Sequence, residues 1–304
     1  MSKESRKLLI ALSAGGANSE LAKHGIGEEH VEELMVRIAM RLLSEGHRLA
    51  FGGTLGVADQ PLTKQLIDTA QRWMDETTAA KVDVTKPETW PLVNFSAWPY
   101  YEFIDEQQRA RLVGICRFMD INPAGISQDE LNKISKDDKP SRDRYGADAL
   151  TTMRKQASLE ADLRIVWGGK IQGAAGWMAG ILEEITSSLE QNKPVLVLGG
   201  FGGCVRLIAD FLKKPNAEWP EQLNLAACAN EARDTLLSNE ERDKLLGRMN
   251  ETINSLAEFR SQIHGDADTV RNISTKLLKS ALIEESPREA INLTVNAARL
   301  LVGC

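Results

Sequence analysis

Two short apolar runs that stop abruptly at glycines constrain this chain more than any other feature. Ile165-Val166-Trp167 ends at Gly168 and Gly169. Pro194-Val195-Leu196-Val197-Leu198 ends at Gly199, Gly200, Gly202 and Gly203. Runs this short and apolar suit buried parallel strands better than helices. Between them, Lys170 to Gly180 carries Gly173, Gly176 and Gly180, where backbone can turn tightly or approach a ligand. Ile181 to Leu189 then resumes at helical spacing, with Ile181, Leu182, Ile185 and Leu189 on one side. In an open α/β sheet, ligands sit beyond the carboxyl ends of the strands. Glycine turns there present backbone N–H groups, and the next helix adds its positive end, so the layout favours phosphate.

The same pattern opens the chain. Lys7 to Ala14 reads as a strand ending at Ser13, Gly15 and Gly16. Glu28 to Ser44 is an amphipathic helix with Val31, Leu34, Met35, Ile38 and Leu42 on one face, stopped by Gly46. His47 to Phe51 is a second strand, closed by Gly52, Gly53 and Thr54, and Pro61 to Thr77 is the next helix. The expected fold is α/β: a Rossmann-like, doubly wound, mostly parallel sheet.

The middle of the chain is less regular. Pro91 to Phe103 is aromatic-rich. Its rings are read as packing beneath a long loop, with a strand carrying a recognition loop as the alternative. A short strand is expected near Leu112 to Ile115. Asp120 to Arg144, including the charged run Lys136 to Lys139, reads as an exposed loop that either connects or acts as a lid. Ala147 to Ala161 is a helix leading into the central strand, and Cys204 to Leu212 follows the last glycine turn. From Glu221 no further glycine-terminated strand is evident. Helices are expected at Asn224 to Leu237, Glu240 to His264, Thr269 to Leu282 and Pro287 to Val302. The organisation expected is a nucleotide-binding domain over residues 1–214 and a helical region over residues 215–304 that wraps it or mediates self-association.

Composition excludes several functions. The 304 residues are 42% hydrophobic and 26% charged, with a net charge of −6 that argues against nucleic acid as the main partner. Cys116, Cys204, Cys228 and Cys304 lack paired spacing, so neither a metal site nor a disulfide framework is expected, and a reducing cytoplasm is. No signal peptide and no apolar stretch of membrane-spanning length is evident, so no direct membrane insertion is expected.

Two pairs of charged residues stand near the glycines. Arg154 and Lys155 offer cations for phosphate or carboxylate, against the plainer reading of a solvated helix face. Glu183 and Glu184 lie early in a helix, where the dipole favours an acid. One of them could also grip a ribose hydroxyl or assist glycosidic cleavage.

In order, Ser13-Ala14-Gly15-Gly16, Phe51-Gly52-Gly53-Thr54-Leu55-Gly56, Met153-Arg154-Lys155, Gly168-Gly169 with Gly180-Ile181-Leu182-Glu183-Glu184, and Lys193-Pro194-Val195 resemble the SLOG superfamily. That Rossmann-like fold is shared by the Lonely Guy nucleoside-phosphate hydrolases, the DNA-processing protein A family and the ligand-sensing region of TRPM channels. The resemblance covers roughly Lys7 to Leu212. Trp167 replaces the proline that precedes the glycine pair in the hydrolases, the Gly-Thr is missing, and Lys170 to Ala179 enlarge the loop. These departures suit a bound ligand more than hydrolysis. In character the chain is closest to SLOG sensor modules of bacterial anti-phage systems, which implies an NAD-derived or cyclic ADP-ribose-like ligand and no cofactor.

The expected ligand-binding residues are Ser13, Gly15, Gly16, Gly52, Gly53, Thr54, Arg154, Lys155, Gly168, Gly169, Lys170, Gly173, Gly176, Glu183, Glu184 and Gly200. The alternative is a nucleotide N-glycosidase using Arg154, Glu183 and Glu184; no metal is expected in either. Expected partners are a small nucleotide ligand, further copies of this chain in a homo-oligomer, and a separate effector protein.

Overall fold

The computed structural model describes residues 6–15, 27–53, 61–76 and 83–303. The first half runs β1 (Leu9–Ala14), α1 (Glu28–Ser44), β2 (Arg48–Phe51), α2 (Pro61–Glu76), β3 (Leu92–Ala97), α3 (Glu106–Arg111), β4 (Cys116–Ile121), α4 (Gln128–Leu131) and α5 (Lys139–Glu160). The second half runs β5 (Leu163–Trp167), α6 (Gly180–Glu190), β6 (Val195–Val197), α7 (Gly203–Lys213), α8 (Glu231–Asp234), α9 (Asn239–His264), β7 (Thr269–Val270), β8 (Ile273–Ser274), α10 (Thr275–Ala281) and α11 (Pro287–Val302).

Six strands form one parallel sheet in the order β4-β3-β2-β1-β5-β6. From β1 the chain builds outward to β4, then crosses back to lay β5 on the other side of β1. The order therefore reverses between β1 and β5, where Leu12 pairs with Ile165 and Ala14 with Trp167. This is a Rossmann-like α/β fold, and its switch point is the place such sheets bind ligands.

Alternate residues of β1 feed different layers. Ile10 and Leu12 join a core with α1, α6, α7 and the C-terminal helices. Leu9 and Ala11 join a second core with Ala149, Leu150 and Met153 of α5. Burial on both faces is why β1 and β5 are mostly apolar, with Ser13 and Arg164 the polar residues in them. Truncating a fully buried leucine such as Leu49 or Leu163 to alanine would cost about 2–5 kcal/mol.

The C-terminal helices share the first core through Met249, Leu256, Phe259, Leu278 and Ala298. Their connecting segment also seals the end of β6. A Cβ on Gly199 would stand 2.2 Å from the Leu282 carbonyl oxygen, and one on Gly200 would stand 2.0 Å from that of Glu284.

Four expectations about local structure fail. Leu112 to Ile115 is a turn with Gly114 at φ +85°, and the strand is the next segment, Cys116–Ile121. As an edge strand β4 is only half-buried, so it lacks the continuous apolar run of the central strands. The stretch from Asp120 to Arg144 is not one loop: β4, α4 and the first turn of α5 take up much of it. The Asp138 carboxylate accepts from Ser141 N at 3.2 Å and starts α5 at Lys139, ahead of Pro140. Asn224 to Leu237 breaks into two 3-10 and α turns, because Asn230 caps α8 and the Arg233 guanidinium binds carbonyls. Thr269 to Leu282 opens as a hairpin, since Arg271 and Asn272 both have positive φ, the geometry of a two-residue hairpin turn.

Candidate functional site

A cleft of about 320 Å³ lies at the switch point. Ser13, Ala14 and Gly15 at the end of β1, Phe51 to Gly53 after β2, and Gly169 and Lys170 after β5 form its rim. Gly180, Ile181 and Glu184 of α6 and Arg154 of α5 form its wall.

Close backbone approach makes the glycines necessary here. A Cβ on Gly168, at φ +65°, would stand 2.7 Å from the Gly15 carbonyl oxygen. One on Gly53 would instead meet a side chain, 2.1 Å from Thr63 Oγ1. The Gly15 N–H is taken by the Trp167 carbonyl at 3.3 Å, and the first N–H groups of α7 by Gly168 and Gly169 at 2.9 Å. The start of α6 is different. Ala179 at its cap position supplies no side-chain acceptor, and Gly180 and Ile181 line the cleft. Leu182 N–H is turned to the Cys204 thiol, so the positive end of α6 reaches the cavity wall through Gly180 and Ile181, an arrangement suited to an anion.

Beneath the cleft lies a buried charge cluster. Arg154 Nη1 donates to Glu183 Oε2, and Arg248 Nη2 of α9 donates to Glu183 Oε1. Thr151 Oγ1 donates to the same Oε1 at 2.7 Å. Burial pushes the Glu183 carboxyl upward, but Arg154, Arg248 and Thr151 more than offset it and hold it below the usual glutamate range. Arg154 Nε has no hydrogen-bond partner among the described residues and lies 4.0 Å from Glu184 Oε1.

Arg164 completes the cluster. Its guanidinium, buried within β5, donates to Ser188 Oγ at 2.7 Å, Ser13 Oγ at 2.7 Å, Ser158 Oγ at 3.1 Å and Glu184 Oε2 at 3.3 Å. It ties β1, α5 and α6 together and holds Glu184 against the cleft. Burial lowers its pKa, the usual cost of desolvating a cation.

The glycine loop after β5 is clamped from behind. Arg233 Nη1 donates to the Gly176 carbonyl at 3.1 Å, and its guanidinium stacks on Trp177 at 4.4 Å. Trp177 Nε1 in turn donates to Asp148 Oδ1 of α5 at 2.7 Å. Gly176 and Gly180 back onto Arg154, where a Cβ would stand 2.6 Å from Nη1 and 2.9 Å from Nη2 respectively.

Of the residues expected from sequence, Ser13, Gly15, Gly52, Gly53, Arg154, Gly169, Lys170 and Glu184 meet around the cleft. Gly168 packs under Gly15, Gly176 supports Arg154, and Gly173 borders a neighbouring cleft. Glu183 is 2% exposed and points into the ion cluster, so Glu184 is the carboxylate facing the cavity. Lys155 is exposed and not among the cleft residues, and Gly200 packs against Glu284. Gly16 and Thr54 lie outside the described residues. Sequence reasoning missed Arg164, Arg248 and Arg233. The one available signal was an arginine inside an otherwise apolar strand, at Arg164.

Among the described residues, no cluster of three His, Cys, Asp or Glu is placed to hold a metal ion. No helix among them is long and apolar enough to cross a membrane. Cys116, Cys204 and Cys228 are buried and unbridged, and burial pushes the Cys116 and Cys204 thiols up to about 12, which leaves them unreactive.

A family model described as SLOG cluster2 matches residues 4–264. No curated protein matches. Among solved structures, the X-ray structure of TM1055, a structural-genomics target, is similar at 13% identity and a TM-score of 0.36, covering 67% of this chain and 81% of that one.

Proposed function

We propose, from the premise that this chain belongs to the SLOG cluster2 family, that the switch-point cleft binds a nucleotide-derived ligand and that the protein is a sensor of it. Membership in that family supports nucleotide-related binding or processing. The observation that carries the sensor reading is the division of labour between neighbouring glutamates. Glu183 is committed to Arg154 and Arg248, while Glu184 is the one carboxylate among the described residues lining a cavity rimmed by glycine turns, Lys170 and the start of α6. One carboxylate accepts ribose hydroxyls; the helix start and Lys170 take phosphate.

The ligand class that fits is an NAD-derived or cyclic ADP-ribose-like nucleotide, and the setting we put forward is bacterial anti-phage signalling in the cytoplasm. Arg248 gives the signal a route. It reaches from α9 to Glu183, directly behind Arg154, so an anion that draws Arg154 forward changes the grip on the C-terminal helices. Binding that favours one arrangement of those helices would shift assembly into a homo-oligomer or engagement of a separate effector. In this reading residues 1–214 bind and residues 215–304 transmit.

Mass spectrometry of small molecules released by heating the purified protein tests the reading. A nucleotide or ADP-ribose derivative is expected. Absence of any such species, together with no calorimetric heat from adenine nucleotides, would refute it.

A second reading, N-glycosidic hydrolysis, is favoured by one feature: Arg154 and Glu184 share the cavity. Release of free base from nucleoside monophosphates, lost in Glu184→Gln, would establish it over the sensor reading.

A further inference from the structure

A second cleft, of about 530 Å³, opens beside the first, and the two share Ala174 and Ala175 of the glycine loop as a common wall. Tyr100 and Phe103, just after β3, line one side. Lys136, Lys139, Arg142 and Asp143, at and before the start of α5, line another.

The charge of this cavity is positive, three cations to one carboxylate. Two of the cations are already engaged: Lys139 with Asp143, and Arg142 with Glu102 at 2.9 Å while stacked on Trp98 at 4.9 Å. Lys136 is exposed and pairs with no carboxylate among the described residues. The Asp138 carboxylate already meets the positive end of α5, so the side chains carry the charge of this cleft.

The aromatic side is open as well. Phe103 is 51% exposed, which leaves its ring face free for a ligand. Tyr100 is half-buried, and its hydroxyl makes no hydrogen bond among the described residues. An uncovered ring beside an unpaired cation is the pairing that takes a flat base or sugar attached to phosphate.

Each cleft separately falls in the range of about 300–1,000 Å³ that holds a small molecule. A mononucleotide needs one of them. A ligand with cation-seeking phosphates at its centre and a ring at each end needs both.

We propose that the second cleft is a subsite for the distal half of a pyrophosphate-linked nucleotide. The switch-point cleft holds one phosphate and its ribose, the pyrophosphate passes over Ala174 and Ala175, and the far sugar or base lies on Phe103 and Tyr100 beside Lys136. This rests on the nucleotide reading above, whose ligand class already has two heads, and gives the second head its place in this chain.

Calorimetry on the full chain with ADP-ribose and AMP as probes tests it, using wild type, Phe103→Ala and Lys136→Ala. Both side chains are exposed, so the fold survives either change, which thermal melting checks. ADP-ribose is expected to bind wild type at least about tenfold tighter than AMP, and each variant to remove about tenfold of ADP-ribose affinity while leaving AMP unchanged. Equal binding of the two probes, ADP-ribose binding untouched by both variants, or equal losses for both probes overturns the subsite and leaves the first cleft standing. No binding of either probe to wild type removes both.

Discussion

Gly15 and Gly169 meet backbone to backbone: a Cβ on Gly15 would stand 2.2 Å from the Gly169 Cα. The turns after β1 and β5 therefore touch at the point where the sheet order reverses, and the cleft floor depends on that contact. Gly15→Ala is expected to lower stability by about 1–3 kcal/mol, because backbone must move to admit the methyl. Gly247→Ala is the control. Gly247 lies inside α9 with open space around its Cα, so alanine there should raise stability by about 0.5–1 kcal/mol. Urea unfolding of the two variants measures both.

Glu183 and Glu184 are adjacent, yet their substitution should have opposite signatures. Glu183→Gln strands two guanidinium groups, one of them buried, and is expected to cost about 3–5 kcal/mol. Glu184→Gln takes the counter-charge from buried Arg164 but leaves it three serine hydroxyls and an amide oxygen, so it should cost less stability than Glu183→Gln and lower ligand affinity as well. Because the native pKa of Glu183 is lowered, its contribution is fully present above its ordinary value of 4.5 and is lost as pH falls through the native value. Acid unfolding of wild type against Glu183→Gln, followed by circular dichroism, should show a steeper loss in wild type.

His47 supplies a second pH dependence, in a milder range. It follows Gly46, is buried, and its Nδ1 accepts the Leu8 N–H at 3.3 Å, which requires that nitrogen to be unprotonated. Burial lowers its pKa from 6.5, against smaller opposing effects of Glu45 and Asp162. The resulting stability is complete above pH 6.5 and declines as pH falls through the lowered native value. Denaturation midpoints across that interval should fall in wild type and stay flatter in His47→Gln.

Arg233 fastens the glycine loop. Arg233→Ala removes hydrogen bonds to the Gly176 and Cys228 carbonyls and the stack on Trp177, and is expected to destabilise by about 2–3 kcal/mol. The loss should be local. Faster hydrogen exchange over residues 170–180, with β1 and β5 unchanged, is the expected readout.

What the sequence made legible follows a physical rule. β1, β5, β6 and α1 were readable because burial on both faces, or on one clean helical face, leaves a pattern that short-range inspection detects. β4 was misplaced because an edge strand carries Arg117 and Asp120 among its apolar residues. The β7–β8 hairpin was hidden because its turn is Arg271-Asn272 rather than a glycine pair. At the site, the glycine turns were visible in the sequence, since no side chain fits where two turns touch. Arg164 and Arg248 were not, because their role depends on partners, Ser13 and Glu183, that only folding brings near.

The most direct test of the nucleotide site is calorimetric binding of ADP-ribose to wild type and to Lys170→Glu. Lys170 is exposed on the rim of the cleft, so reversing its charge leaves the core untouched. The account predicts binding to wild type that weakens with salt, and a loss of about tenfold or more in the variant. Equal affinity in the two proteins, or no binding to wild type at all, would contradict it.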